Sequence, residues 1–175
     1  MDSSDFFALC AGRSSVREYS GEPVTEDEIG FLLKCAVTAP SAGNLEAWDV
    51  IVVRDDETKE ALCEAAFSQE HIGNAPVVLA VCANYVRSMS RYGERGILYG
   101  LEDAAIACTY MMLAAQAQGL VTCWTGAFDD EAVREVLSLP QHSRPVSLLA
   151  VGKGHAPTQH TERMSVGEHV HRDTW

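Results

Sequence analysis

Basic residues are the scarce class in this chain: 13 Lys and Arg stand against 25 Asp and Glu over 175 residues, a formal net charge of −12. Nucleic-acid binding is driven by cations that neutralise phosphates, so this balance argues against a DNA or RNA partner and equally against an anionic membrane surface. The N-terminal pattern is unlike that of a secretory leader as well. The opening MDSSDFF carries two acids where a leader has positive charge, and no apolar run follows, so the expected location is cytoplasmic. Paired cysteines are absent: Cys10, Cys35, Cys63, Cys82, Cys108 and Cys123 are spread out with no CxxC spacing, and several sit in apolar stretches. They read as buried thiols rather than as a disulfide framework. There is no G-x-S-x-G elbow, no G-x-G-x-x-G after a strand and no HExxH, which removes the serine-hydrolase, Rossmann and zinc-protease readings. His155, His160, His169 and His171 near the C-terminus match no zinc spacing and have no thiol beside them, so no metal is expected.

What is present is apolar material: 47% of residues are hydrophobic and 22% charged, enough for a packed core of one-domain size. The expected organisation is a single domain over residues 1–175. Helical and strand patterns alternate along it, the mark of an α/β or α+β layer architecture. A short amphipathic helix is expected over 3–11, stopped by Gly12. Thr25 with Glu28 three residues later forms a capping box that starts a second helix, which runs to Pro40. Residues 48–53 read as a strand, 57–66 as a helix, and the continuous apolar run 77–82 as a strand buried on both faces. The Arg- and Ser-containing stretch 84–96 reads as an exposed connection. From 99 to 118 the pattern is helical and almost wholly apolar after Glu102 and Asp103, which would sit at the favourable N-terminal end. A helix with no polar face has to be buried nearly all round, and in so small a chain a second copy is the simplest cover, so a homodimer is expected. A strand over 120–124, a helix from Asp129 or Asp130 to Leu139-Pro140 and a last strand over 146–151 complete the pattern. The tail from 155 to 175 is polar and aperiodic.

Three clusters carry chemistry. Arg13-Ser14-Ser15-Val16-Arg17 puts two guanidiniums and two hydroxyls on one short loop, the donor set a phosphate wants. The alternative at this level is a solvated loop whose arginines pair with Glu18 and Glu22. Pro40-Ser41-Ala42-Gly43-Asn44-Leu45-Glu46-Ala47-Trp48 reads on its own as a polar turn leading into a strand. Cys123 to Asp129 is a strand end followed by small residues and a helix start, where backbone donors are free for a ligand.

In this order and spacing the segments resemble the FMN-dependent nitroreductase family. RSSVR resembles its N-terminal phosphate loop, PSAGNLEAW its P-S-x-x-N-x-Q-P-W segment, EDAAIACTYMMLAAQAQGLVTCWTGAF its central helix and following strand, and PVSLLAVGKG its last core strand. The resemblance implies an α+β fold, a mixed, mostly antiparallel sheet flanked by helices, and an intertwined homodimer with FMN at each subunit interface. It places Arg13, Ser14, Ser15 and Arg17 on the FMN phosphate and ribityl chain, with Arg163 adding phosphate contact and Lys153 as a helper. Ser41, Asn44 and Glu46 of the second copy would meet the isoalloxazine ring, and Gly126 and Ala127 would present backbone near its reactive edge.

The implied activity is a ping-pong NAD(P)H oxidoreductase acting on small electron acceptors, nitroaromatics or quinones, with NADH or NADPH as reductant and no side chain as an obligatory acid or base. A non-enzymatic flavin-binding dimer, used for storage or sensing, is the alternative of another class. A specialised dehalogenase or flavin dehydrogenase is the alternative within the family. Two departures from the family pattern stand out: Glu46-Ala47 replaces Gln-Pro, and the 84–96 connection is short where larger relatives carry insertions. A carboxylate beside the ring disfavours an anionic reduced flavin. Glu46→Gln is therefore expected to raise the flavin reduction potential; a redox titration of both proteins checks this, and an unchanged or lower potential refutes the placement of Glu46.

Overall fold

The computed structural model describes residues 2–157 and 161–175, so His160 lies outside the described residues. Its organising element is the strand β2 (Val77–Asn84), in which all eight residues are buried. Side chains along a strand alternate between faces, and here the alternation sorts one apolar run into two cores. Val77, Leu79, Val81 and Ala83 enter the cluster that also holds Ile29, Leu32 and Met111. Val78 and Ala80 enter the opposite cluster, with Leu62, Ile72 and Val133.

Around β2 the sheet is completed by β1 (Trp48–Val53), β3 (Val121–Thr125) and β4 (Ser143–Gly152), in the spatial order β1-β2-β4-β3 with every pair antiparallel. An isolated parallel bridge between Ser15 and Thr122 adds to the outer edge of β3, giving the mixed, mostly antiparallel sheet of an α+β fold. The strand β4 begins three residues earlier than its apolar run suggests. Pro145 lies inside it, tolerated because the register with β2 shifts there: Val81 pairs with Ser147 and Cys82 with Pro145, so Val146 is bulged.

The helices α1 (Ser3–Gly12), α2 (Glu26–Val37) and α3 (Asp56–Ala65), the short α4 (Glu70–Gly73), and α7 (Asp130–Val136) follow the sequence signals, apart from α4, which carries no local start signal. The capping box of α2 is present: the Glu28 N–H donates to the Thr25 hydroxyl at 3.2 Å and the Thr25 N–H to the Glu28 carboxylate at 2.7 Å.

Residues 85–92 are not a connection but a helix, α5 (Tyr85–Tyr92). Its N-cap is Asn84, whose side chain accepts from the Arg87 N–H at 3.2 Å, and it stops at Gly93, which takes φ +56°. The long helix α6 (Arg95–Ala117, 23 residues) accordingly starts before the expected boundary, and Asp103 is not at its N-terminal end but in its interior, 2% exposed.

Burial of α6 is one-sided in a single chain. Ala104, Ala107, Cys108, Met111, Ala114 and Ala115, spaced three and four apart, pack into the first core. Ile97, Leu98 and Tyr110 are 40%, 45% and 36% exposed. Among the described residues α6 is the one helix long and apolar enough to cross a membrane by length and composition, and its buried face is that of a core helix. The helix α1 buries no residue at all, leaving Phe6 and Phe7 exposed.

All six cysteines are free. Four of them, Cys63, Cys82, Cys108 and Cys123, are buried, whereas Cys10 and Cys35 are half-buried, short of the burial expected for them. Burial raises the thiols of Cys82 and Cys108 to about 11 and about 12, well out of reach of neutral pH.

The helices α5 and α6 touch through glycine. A Cβ at Gly96 would lie 2.5 Å from the Met89 nitrogen and 2.6 Å from the Ser88 carbonyl carbon, backbone that cannot yield like a flexible side chain. Gly96→Ala is expected to cost about 1–3 kcal/mol of stability by overpacking. Urea denaturation reads it, and an unchanged midpoint would show that the two helices can move apart freely.

Candidate functional site

The chain leaves α1 at Gly12 and runs extended along the edge of β3. The Val16 N–H donates to the Thr122 carbonyl at 2.9 Å, and four residues further on the Ser20 N–H donates to the Lys153 carbonyl at 2.8 Å. With this backbone fixed to the sheet edge, the side chains alternate. Val16 is 6% exposed and enters the protein, while Ser15 and Arg17 are turned to the surface.

A cavity of about 490 Å³ opens over this segment, lined by Cys10, Ala11, Arg13, Ser14, Ser15, Arg17, Pro157, Thr161 and Arg163. The fold thus brings Arg163, from the C-terminal tail, to the loop at 13–17. Among the described residues the guanidiniums of Arg13, Arg17 and Arg163 make no ion pair and no hydrogen bond; Glu18 and Glu22 do not take them. Three cations without a partner among the described residues line one hollow in a protein of net charge −12, a donor set that suits an anion. Lys153 does not line this cavity. Its ammonium group lies 3.5 Å from the Glu28 carboxylate.

The end of β3 lies close enough to Arg17 to sense its charge. Burial, followed by Arg17, holds His71 below the ordinary imidazole range, so its ring is neutral at pH 7. That ring is 2.8 Å from the Thr125 hydroxyl, and the Gln69 amide donates to the Ala127 carbonyl at 2.9 Å. α4 and the residue before it therefore brace the backbone around Gly126 and Ala127, both of which are exposed.

Ser41, Asn44 and Glu46 occupy a separate place; none of them lines the arginine cavity of the same chain. Their loop is a 3-10 turn (Ala42–Asn44) in which Gly43, Asn44 and, beyond it, Glu46 take φ of +60°, +58° and +48°. Asparagine tolerates that region, whereas for glutamate it costs about 1 kcal/mol or more, so something has to impose it. Two charged groups do. The Asp103 carboxylate accepts from the Ala42 N–H at 2.9 Å and the Ala47 N–H at 3.1 Å, holding both ends of the loop. Arg87 of α5 donates to the Glu46 carbonyl at 2.9 Å and the Trp48 carbonyl at 2.8 Å, and pairs with Asp49 at 2.7 Å. The Ser41 hydroxyl accepts from the Glu46 N–H at 3.0 Å. The Glu46 carboxylate itself makes no hydrogen bond or ion pair among the described residues.

Asp103, Arg87, Gln69 and His71 were not among the residues expected at the site. For Asp103 a signal existed: of the adjacent acids Glu102 and Asp103 in an otherwise apolar helix, one that falls on the buried face needs a buried partner. For Arg87 it was the Asn84 cap and the Gly93 stop, which mark a helix where composition alone suggests a loop.

Comparison with known proteins places these loops in context. The model of the nitroreductase family matches residues 10–71 and 63–153. A NADH dehydrogenase of Thermus thermophilus is 35% identical over 168 residues, covering 80% of this chain and 82% of its own length. An FMN reductase [NAD(P)H] of Bacillus subtilis is 32% identical over 152 residues, covering 79% of this chain and 61% of its own. Among solved structures, NfrA2 of B. megaterium superposes with a TM-score of 0.92 at 28% identity, covering all of this chain and 76% of that one.

Removing the Asp103 carboxylate leaves two backbone donors of the loop without an acceptor. Asp103→Ala is expected to lose about 2–4 kcal/mol and Asp103→Asn clearly less, since an amide oxygen still accepts. Chemical denaturation of the two variants checks the order; equal losses would mean that the loop is held otherwise.

Proposed function

The chain belongs to the nitroreductase family and is, with it, an FMN-dependent NAD(P)H oxidoreductase; we propose that it reduces small nitroaromatic or quinone-type acceptors in a ping-pong cycle. The observation that carries this reading is the arginine cavity. FMN ends in a phosphate, and the residues present fit it: three guanidiniums without partners among the described residues, on backbone stapled to a sheet edge, and the hydroxyl-bearing Ser14 and Ser15 beside them. Arg13, Arg17 and Arg163 would hold the phosphate, and Ser14 and Ser15 the adjoining ribityl chain. When bound, FMN supplies a ring that takes a hydride from NAD(P)H and passes it to the second substrate.

The remaining work falls to the chain. The exposed backbone at Gly126 and Ala127, braced by Gln69 and His71, would lie along the reactive edge of the ring. Ser41, Asn44 and Glu46 lie outside the cavity of their own chain, which supports a site completed by the loop of a second copy. The exposed Phe6 and Phe7 of α1 and the exposed Ile97, Leu98 and Tyr110 of α6 supply apolar surface for such an intertwined homodimer. No side chain of the cavity is needed as an acid or base. For a nitro acceptor the two-electron balance is R–NO2 + NAD(P)H + H⁺ → R–NO + NAD(P)⁺ + H2O, with the proton drawn from solvent. Six free cysteines accord with a reducing, cytoplasmic location.

The deciding experiment is the visible spectrum of the purified protein before and after anaerobic NADH or NADPH. Flavin bands that bleach, and turnover beyond one equivalent of nicotinamide when an acceptor is added, are the expected result. A single stoichiometric reduction would point instead to a flavin-binding protein without turnover. Arg17→Ala removes one charge-assisted phosphate contact and is expected to weaken FMN binding about ten- to a hundredfold, read by flavin fluorescence titration. Unchanged affinity would return the loop at 13–17 to an ordinary solvated surface.

A further inference from the structure

Beside the strained 42–46 loop lies a second group of basic residues that the FMN site does not use. Arg91 and Arg95 are both exposed, and among the described residues neither forms an ion pair; Glu94 and Glu102 are close in sequence but do not take them. Each guanidinium lies instead over a tyrosine, Arg91 at 5.6 Å from the ring centre of Tyr92 and Arg95 at 5.4 Å from that of Tyr99. The two rings meet edge to face, 4.9 Å apart at 82°, and the Arg95 Nε donates to the Tyr99 hydroxyl at 2.8 Å. The cluster touches the loop directly: a Cβ at Gly43 would collide with the Tyr92 hydroxyl, and an Arg91 guanidinium nitrogen lies 3.5 Å from the Gly43 carbonyl.

An arginine resting on an aromatic face has lost part of its rotamer freedom; Arg91 also directs one Nη to the Gly43 carbonyl and Arg95 its Nε to Tyr99, and their other N–H groups, without a partner among the described residues, can meet a planar anion. Two such guanidiniums beside a pair of tyrosine rings offer both an anion contact and an aromatic surface. With a net charge of −12 the protein as a whole repels anions at long range, so this local reversal suits a small ligand rather than a polyanion. We propose that Arg91 and Arg95, held on Tyr92 and Tyr99 beside the 42–46 loop, select electron acceptors that join an aromatic ring to a carboxylate or sulfonate. This rests on the reading above, in which the same loop faces the flavin of the second copy.

The test compares 4-nitrobenzoate with 4-nitrobenzyl alcohol, which share the nitro ring and differ in charge, using the FMN-loaded protein and saturating reductant. The parent favours the acid at low salt. In Arg91→Met/Arg95→Met the acid-to-alcohol ratio of kcat/KM falls about tenfold, chiefly through KM for the acid, and Arg91→Lys/Arg95→Lys restores part of it. A ratio that does not change, or an effect confined to KM for NADPH, overturns the proposal. Calorimetric titration of 4-nitrobenzoate requires no turnover: tighter binding to the parent than to the Met variant supports the selection, and equal binding refutes it. Should no acceptor be reduced at all, the assigned activity fails, while the titration still decides the role of the two arginines. Flavin content and the thermal midpoint of each variant establish that it is folded.

Discussion

Eight consecutive residues of β2 have no face toward water, and that double burial governs the layout of everything around them. A strand in this position needs apolar cover on both sides, so α6 and α2 must lie on one face and α3, α4 and α7 on the other. The cover on the first side is close because α6 presents alanine and cysteine at helical spacing. That close contact carries Asp103, one helical turn before Ala107, to the place where the chain enters β1. Sheet burial and loop conformation are thereby connected: the helix that seals the core also supplies the carboxylate that holds Ala42 and Ala47.

The two candidate regions follow from the two sides of this arrangement. The arginine loop is an edge feature, attached to β3 by a bridge at Ser15 and Thr122, with its cations turned outward. The 42–46 loop is a strained feature, kept in the left-handed region by groups from α5 and α6. In one chain they remain apart. In the proposed reading the two loops would form a single site where two copies meet, and the exposed apolar residues of α1 and α6 would supply the surface for that meeting.

Much of the fold was legible before any tertiary information. Thr25 and Glu28 announced the start of α2, the run at 77–82 announced a strand buried on both faces, and Gly119 closed α6. The failures have local causes. Arg87, Ser88, Ser90 and Arg91 made α5 look like a loop because its cap, Asn84, belongs to the preceding strand. Pro145 made β4 look shorter because a bulge, invisible in composition, absorbs it. Asp103 read as a favourable charge near a helix start because the helix was expected to begin at Tyr99, after an exposed connection, whereas α6 begins at Arg95.

At the candidate site the division is similar. The chemical character of the 13–17 loop, guanidiniums and hydroxyls on a short connection, was decided by the sequence, since it depends only on which side chains are adjacent. The periodicities that create two cores were decided there too, because alternation is a local property. That Arg163 joins Arg13 and Arg17 was expected from the family resemblance and not from any local pattern; tertiary structure alone decided that Lys153 lies at Glu28 and that Arg91 and Tyr92 come to rest beside Gly43. Pairing and burial come from contacts between segments far apart in the chain, and no local pattern records which distant partner a charge will find.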